Sequence, residues 1–157
     1  MGDFMDFFDL HCDTLTECMD DGDSLLKNER DIDFERGSIF GRWNQVFAVF
    51  VPDSMDDSLV EGYFDSACDF YFDELKKKGD VFPILSSEDV RGHSRGVMLA
   101  MESSRGVGSL ERLEKLYERG LRLITLTWNH KNRAAGGCDE GGGLTDWGRE
   151  LVSKMEK

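Results

Sequence analysis

The chain has 157 residues, long enough for one domain (1–157) with a true core, and its 39% hydrophobic and 11% aromatic content is that of a globular protein. Nineteen Lys and Arg stand against 32 Asp and Glu, a formal net charge of -13, which argues against nucleic acid or an anionic membrane as a partner because both need a basic surface. No apolar run approaches the roughly 20 residues of a membrane span, and the opening Met1 to Asp6 is acidic where a signal peptide is basic and lacks a myristoylation signal, so a cytoplasmic location is expected.

Phe4 to Asp13 reads as a first strand, followed by an acidic, irregular stretch from Thr14 to Asp23 and a short helix at Ser24 to Asn28. Asp31 to Trp43, broken by Gly37 and Gly41, reads as a loop or small hairpin. Gln45 to Val51 is a continuous β-branched and aromatic run stopped by Pro52, the pattern of a strand buried on both faces. Between Asp56 and Lys78, Val60, Tyr63, Phe64, Ala67, Tyr71 and Leu75 recur at helical spacing, with Lys76 to Lys78 complementing the helix dipole and Gly79 supplying the stop. That aromatic stripe is core, since its period is the helix's own.

Val81 to Leu85 is a short extended piece and Ser86 to Val90 a helical turn. Gly96 to Glu102 is a second buried strand and ends on a carboxylate; Ser109 then caps a helix closed by Gly120. Leu121 to Thr127 is a third buried strand running into Trp128, Asn129 and His130. Ala134 to Gly143 holds five glycines and reads as a mobile loop, and Thr145 caps a last helix through Leu151 and Met155. Four cysteines, Cys12, Cys18, Cys68 and Cys138, lack the paired spacing of zinc fingers or redox motifs and read as free thiols.

Strands alternating with amphipathic helices predict an α/β fold with a parallel sheet, whose active site gathers at the carboxyl ends of the strands. His11 and Asp13 end the first strand, Glu102 ends a later one, and Trp128 to His130 follow the next. By strand parity His11 and Asp13 project together and Cys12 faces away. One imidazole and two carboxylates on a rim suit a divalent ion, and a bridging carboxylate suits a pair of ions that activate water for hydrolysis.

Three passages carry a resemblance. Asp9-Leu10-His11-Cys12-Asp13-Thr14-Leu15, Ala100-Met101-Glu102 and the run from Gly120 to Asn132 resemble, in this order, motifs of the membrane dipeptidase (renal dipeptidase) family of zinc peptidases, and Gly143 to Gly148 is similar to that family's loop-to-helix passage. The resemblance implies a metal-dependent (β/α)8 TIM barrel of which this chain supplies about the first four strands. It implies that His11 and Asp13 bind a first zinc, that Glu102 bridges two zinc ions, and that dipeptides are the substrate. Trp128 stands where many relatives carry a substrate-contacting histidine, with Asn129 and His130 beside it; His93, in a polar stretch, has no role.

A whole barrel needs eight strands and about 250 residues, and the family's further histidine ligands come from later strands. The expectation is therefore the N-terminal half of a zinc dipeptidase, as a truncated or partial chain. The alternative is a non-catalytic half-barrel remnant or assembly module with an incomplete metal site. A half barrel leaves two unpaired sheet edges, which invite pairing with another copy.

Overall fold

The computed structural model describes residues 5–156. Strands β1 (Asp6–Cys12), β2 (Arg42–Phe50), β3 (Phe82–Pro83), β4 (Arg95–Glu102) and β5 (Leu121–Thr125) form one sheet. Helices α1 (Thr14–Asp21), α2 (Phe34–Gly37), α3 (Asp57–Lys77), α4 (Ser87–Gly92), α5 (Leu110–Arg119) and α6 (Asp146–Met155) connect and follow them, with a 3-10 turn at Ser104–Val107. Every pairing is parallel. β1 lies on β2 and β2 on β4; the other edge of β4 is shared by the two-residue β3 near its start and β5 near its end. The long strands thus follow one another around an open arc, β1, β2, β4, β5, as the first half of a barrel does.

β2 is the spine. Trp43 through Val49 are all buried, because the strand has neighbours on both sides and side chains covering both faces. Its odd-numbered residues Trp43, Phe47 and Val49 face the helices and join Phe64, Tyr71, Val97, Leu99, Met101 and Leu116 in the main core. The other face carries a small cluster of Val46, Ala48 and Ala100, flanked by Met98 and Leu123.

Several local expectations are corrected. The polar Thr14 to Asp23 stretch is not irregular: it forms α1, whose Leu15 and Cys18 are buried against the sheet and whose left-handed C-cap is Gly22 at φ 74°. Burial of one face outweighs the modest helix propensity of Thr, Cys and Asp. Ser24 to Asn28 is not a helix; the buried Glu74 carboxylate holds it instead, accepting from the Ser24 hydroxyl at 2.5 Å and from Leu25 N–H at 2.8 Å. Within the 31–43 loop lies α2, capped by Asp33, which accepts from Arg36 N–H.

β2 begins three residues earlier than its apolar run, at Arg42, since buried Asn44 and Gln45 continue the ladder. Helix α3 ends through Lys78 in an extended conformation, not through Gly79. β5 stops at Thr125, so Leu126 and Thr127 are free for the turn beyond. The glycine-rich segment is a closed loop: Ala135 bridges Leu144, Gly136 N–H reaches Gly143 O at 3.2 Å, and Gly141 N–H reaches Gly137 O at 2.8 Å. The first strand runs Asp6–Cys12; Phe4 lies outside the described residues. Among the described residues, no helix is long and apolar enough to cross a membrane.

Candidate metal centre

The carboxyl ends of β1 and β4 bring three of the expected residues together. His11 Nε2 lies 3.3 Å from Asp13 Oδ1 and 3.4 Å from Glu102 Oε2. One donor atom from each of the three falls within 4.8 Å of the others. The route differs from simple strand parity, however. Asp9 pairs with Gln45 but Cys12 pairs with Phe47, so β1 fits three steps against two of β2. This bulge re-aims the strand end, and Asp13 is already off the strand, at the N-cap of α1 with φ -94° and ψ -1°. Asp13 gives its backbone carbonyl, not its side chain, to the helix, accepting from Thr16 N–H at 3.0 Å and Glu17 N–H at 3.2 Å. Its carboxylate is left for the rim.

Asp9 braces the bulge. Its carboxylate accepts from His11 N–H at 3.3 Å and from the amide of buried Gln45 at 3.0 Å. Cys12 packs toward the core, where burial pushes its thiol up to about 12. It is not among the three groups that converge at the rim.

Glu102 is followed at once by Ser103, which holds φ 73° without being glycine and is buried. Such a backbone persists only where neighbours enforce it. Here the enforcing contacts converge on Leu126 O, just past β5, which receives Ser104 N–H at 3.2 Å, Ser104 Oγ at 2.8 Å and Asn132 Nδ2 at 2.7 Å. Asn132 Nδ2 also reaches Ser103 Oγ at 3.3 Å, while its Oδ1 accepts from Ala134 N–H at 2.8 Å. Asp9, Gln45, Ser103 and Asn132 brace this cluster without being legible as supports in the sequence. The two polar residues inside or beside apolar strand runs, Asp9 and Gln45, were the available signal; a positive φ at serine leaves none.

The donors suit a divalent metal. An imidazole nitrogen and two carboxylate oxygens are the set that zinc takes. Asp13 Oδ1 is screened from water yet has no hydrogen-bond donor, although the rest of that side chain is half exposed; a cation between the three groups would satisfy it. Burial raises the Glu102 carboxyl above its ordinary value; the His11 ring opposes this and the Asp13 charge reinforces it. Among the described residues, this is the one group of three or more whose ligating atoms all lie within 4.8 Å of one another.

Trp128, Asn129 and His130 do not join it. Trp128 packs edge-on against Phe50, ring centres 5.0 Å apart, and Phe50 is the register partner of Glu102. It therefore stands on the same rim. Asn129 holds the glycine-rich loop, its carbonyl accepting from Asp139 N–H at 3.1 Å. His130 turns toward other carboxylates: Glu140 at 3.2 Å, Asp139 at 3.5 Å and Asp53 at 3.9 Å. His93 stacks on Phe82 with ring centres 4.1 Å apart, far along the sheet at the β3 end.

A parallel αβ arc with a His, Asp and Glu cluster at its carboxyl rim defines a half-barrel α/β fold with a candidate metal centre. The chain matches the family Membrane dipeptidase (Peptidase family M19) over residues 3–157 and belongs to it. No curated protein matches the chain. Its fold is similar to that of a metallopeptidase from Rhodobacter sphaeroides liganded with a phosphinate mimic of the dipeptide L-Ala-D-Ala, at TM-score 0.82 and 17% identity over 97% of this chain and 56% of that one. It is also similar to the dipeptidase AC, at TM-score 0.79 and 16% identity over 96% and 55%. An amidohydrolase from Pseudomonas aeruginosa follows at TM-score 0.62 and 17% identity over 97% and 42%. The chain thus spans about half the length of these structures.

Proposed function

We propose that this chain is one domain supplying the first half of a zinc dipeptidase site, with His11 and Asp13 holding one ion and Glu102 shared between two. The observation that carries this reading is the approach of His11 Nε2 to both Asp13 Oδ1 and Glu102 Oε2, with the Asp13 oxygen otherwise unpartnered. Bound zinc would supply an activated water and polarise the peptide carbonyl. Asp9 and Gln45 fix the approach of His11, and Ser103 with Asn132 fix that of Glu102. Trp128, backed by Phe50, is proposed as an apolar wall beside a dipeptide, with Asn129 and His130 contacting it from the loop behind. The Rhodobacter neighbour's dipeptide mimic supports that substrate class.

The second reading is a half barrel that binds at most one ion and does not turn over. It draws on the number of groups that converge within 4.8 Å of one another among the described residues, three, which is few for two ions. The test is zinc per chain by elemental analysis and titration calorimetry, with His11→Ala and Glu102→Ala as controls, followed by dipeptide hydrolysis with added zinc. Saturable binding abolished by either substitution supports the site. Zinc near zero in the parent protein, or hydrolysis surviving His11→Ala, overturns the reading.

A further inference from the structure

The backbone behind Glu102 is fixed from two sides. On the strand side, Glu102 closes β4 with Phe50 and Thr125 as its register partners. On the other, the 3-10 turn at Ser104–Val107 is docked by Arg105, whose guanidinium donates to Pro52 O at 3.0 Å and to Met55 O at 2.5 Å. Ser103 alone makes the change of direction between them. It does so at φ 73° and ψ 119°, outside even the small left-handed well that other non-glycine residues visit. Glycine is the one residue at ease with such a backbone.

The side chain that makes this turn costly also ties it down. Ser103 is 2% exposed, and its Oγ accepts from Asn132 Nδ2 at 3.3 Å. Asn132 in turn organises the segment beyond β5: its Oδ1 accepts from Ala134 N–H at 2.8 Å and Ala135 N–H at 3.2 Å, and its own N–H reaches Ala135 O at 2.9 Å. Ala134 opens the glycine-rich loop, and its carbonyl accepts from Thr145 N–H at 2.9 Å where that loop closes. The loop returns to the rim through Asp139 N–H, which reaches the carbonyl of Asn129, the neighbour of Trp128. Contacts therefore run unbroken from the carboxylate that meets His11, through Ser103 and Asn132, to the loop beside Trp128.

We infer that Ser103 couples the metal rim to the glycine-rich loop: Glu102 is held toward His11 and Asp13 only while the loop is closed and Asn132 holds the Ser103 hydroxyl. The inference rests on the reading of Glu102 as a metal ligand. Glycine at this position would keep the turn unaided, and the rim would then be indifferent to the loop. Serine makes the turn conditional, because its strain is released once Asn132 lets go. The coupling is reciprocal, so an ion that fixes Glu102 also favours the closed loop. Metal loading and assembly of the Trp128 wall thus proceed together. Ser103 and Asn132 are positioning residues that act through Glu102.

The test is zinc affinity by titration calorimetry for Ser103→Ala, Ser103→Gly, Asn132→Ala and the Ser103→Gly, Asn132→Ala pair. Ser103→Ala keeps the strained Cβ and loses the hydroxyl, so it and Asn132→Ala should each weaken zinc binding at least about tenfold. Ser103→Gly should stay within about threefold of the parent chain, and adding Asn132→Ala to it should cost no more than about threefold again. Parent-like binding by Ser103→Ala, binding by Ser103→Gly as weak as by Ser103→Ala, or an equal loss from Asn132→Ala in both backgrounds each overturns the coupling. Should Asn132→Ala not fold, the two Ser103 variants decide. The second readout is the NMR signal of the His11 ring in metal-free protein, since its Nε2 lies 3.4 Å from Glu102 Oε2. That signal should move in Ser103→Ala and return in Ser103→Gly, while the signal of His93, stacked on Phe82, stays in place throughout. A parent chain that takes up no zinc defeats the metal reading alone; the His11 signal then judges the coupling, and its failure to move in Ser103→Ala overturns it.

Discussion

Gly148 sits in the first turn of α6, where a side chain would meet backbone: a Cβ there would lie 2.0 Å from Ala134 O. Thr145 fixes this approach by donating its hydroxyl to Arg133 O at 2.6 Å while accepting from Gly148 N–H at 2.9 Å. Helix propensity alone favours alanine over glycine by about 1 kcal/mol. The contact should reverse that sign, so Gly148→Ala is expected to destabilise by roughly 2 kcal/mol, read from the urea midpoint. A variant as stable as the parent would mean that α6 does not pack on Ala134 in this way. Residue identity pointed to the three groups that the fold brings together, since His11 and Glu102 stand at strand ends and Asp13 just past one. It said nothing of Ser103, because only the folded chain shows that serine, with no tendency to positive φ, is held there.

Among the elements, the irregular passage between α1 and α2 owes its shape to a group 50 residues away. The Glu74 carboxylate in α3 is buried and accepts from Ser24, Leu25 N–H and Lys77. Glu74→Ala strands the buried Leu25 amide and should cost about 3 kcal/mol in denaturant unfolding; a loss below about 1 kcal/mol would show the passage to be anchored elsewhere. The contact explains why this part of the fold was hard to read. α3, α5 and α6 repeat apolar residues at helical spacing and have Asp56, Ser109 and Thr145 as side-chain caps, so their limits stand in the sequence to within a residue or two. α1 lacks a side-chain cap and is polar on three sides, and its helix exists because β2 offers a surface for Leu15 and Cys18. The bulge in β1 was equally hidden, since it depends on where β2 places Gln45.

For the whole molecule, stability should fall as the solution is acidified. Burial opposes ionisation of Glu74, but Lys77, Ser24 and Leu25 N–H outweigh it and hold the carboxyl below its ordinary 4.5. Burial likewise opposes Asp33, which the Arg36 N–H and guanidinium and the Asn28 N–H hold below its ordinary 3.8. Both depressed groups contribute stability that is complete above those ordinary values and is lost as the pH falls through the lower folded ones. Glu102, raised by burial, runs the other way: its contribution is present at low pH and lost as the pH rises through its folded value. A urea series from pH 7 down to about 3 in a Glu102→Gln background removes the opposing contribution; the drop below about pH 4.5 should shrink when Glu74→Gln is added, and a midpoint that does not drop there would contradict the assignment.

Three donors from two separate loops meet at the Leu126 carbonyl, a backbone oxygen with two lone pairs. The receiving end of this junction is written in no side chain. A mutational scan through position 126 would register the packing of leucine and leave the junction untouched, because every residue type brings the same carbonyl. Drift at that position is therefore free with respect to the carboxyl rim, and the selective burden falls on the donors, Ser104 and Asn132. Tolerance at 126 alongside intolerance at 104 and 132 is the signature that a library of variants, sorted for folded protein, should reveal.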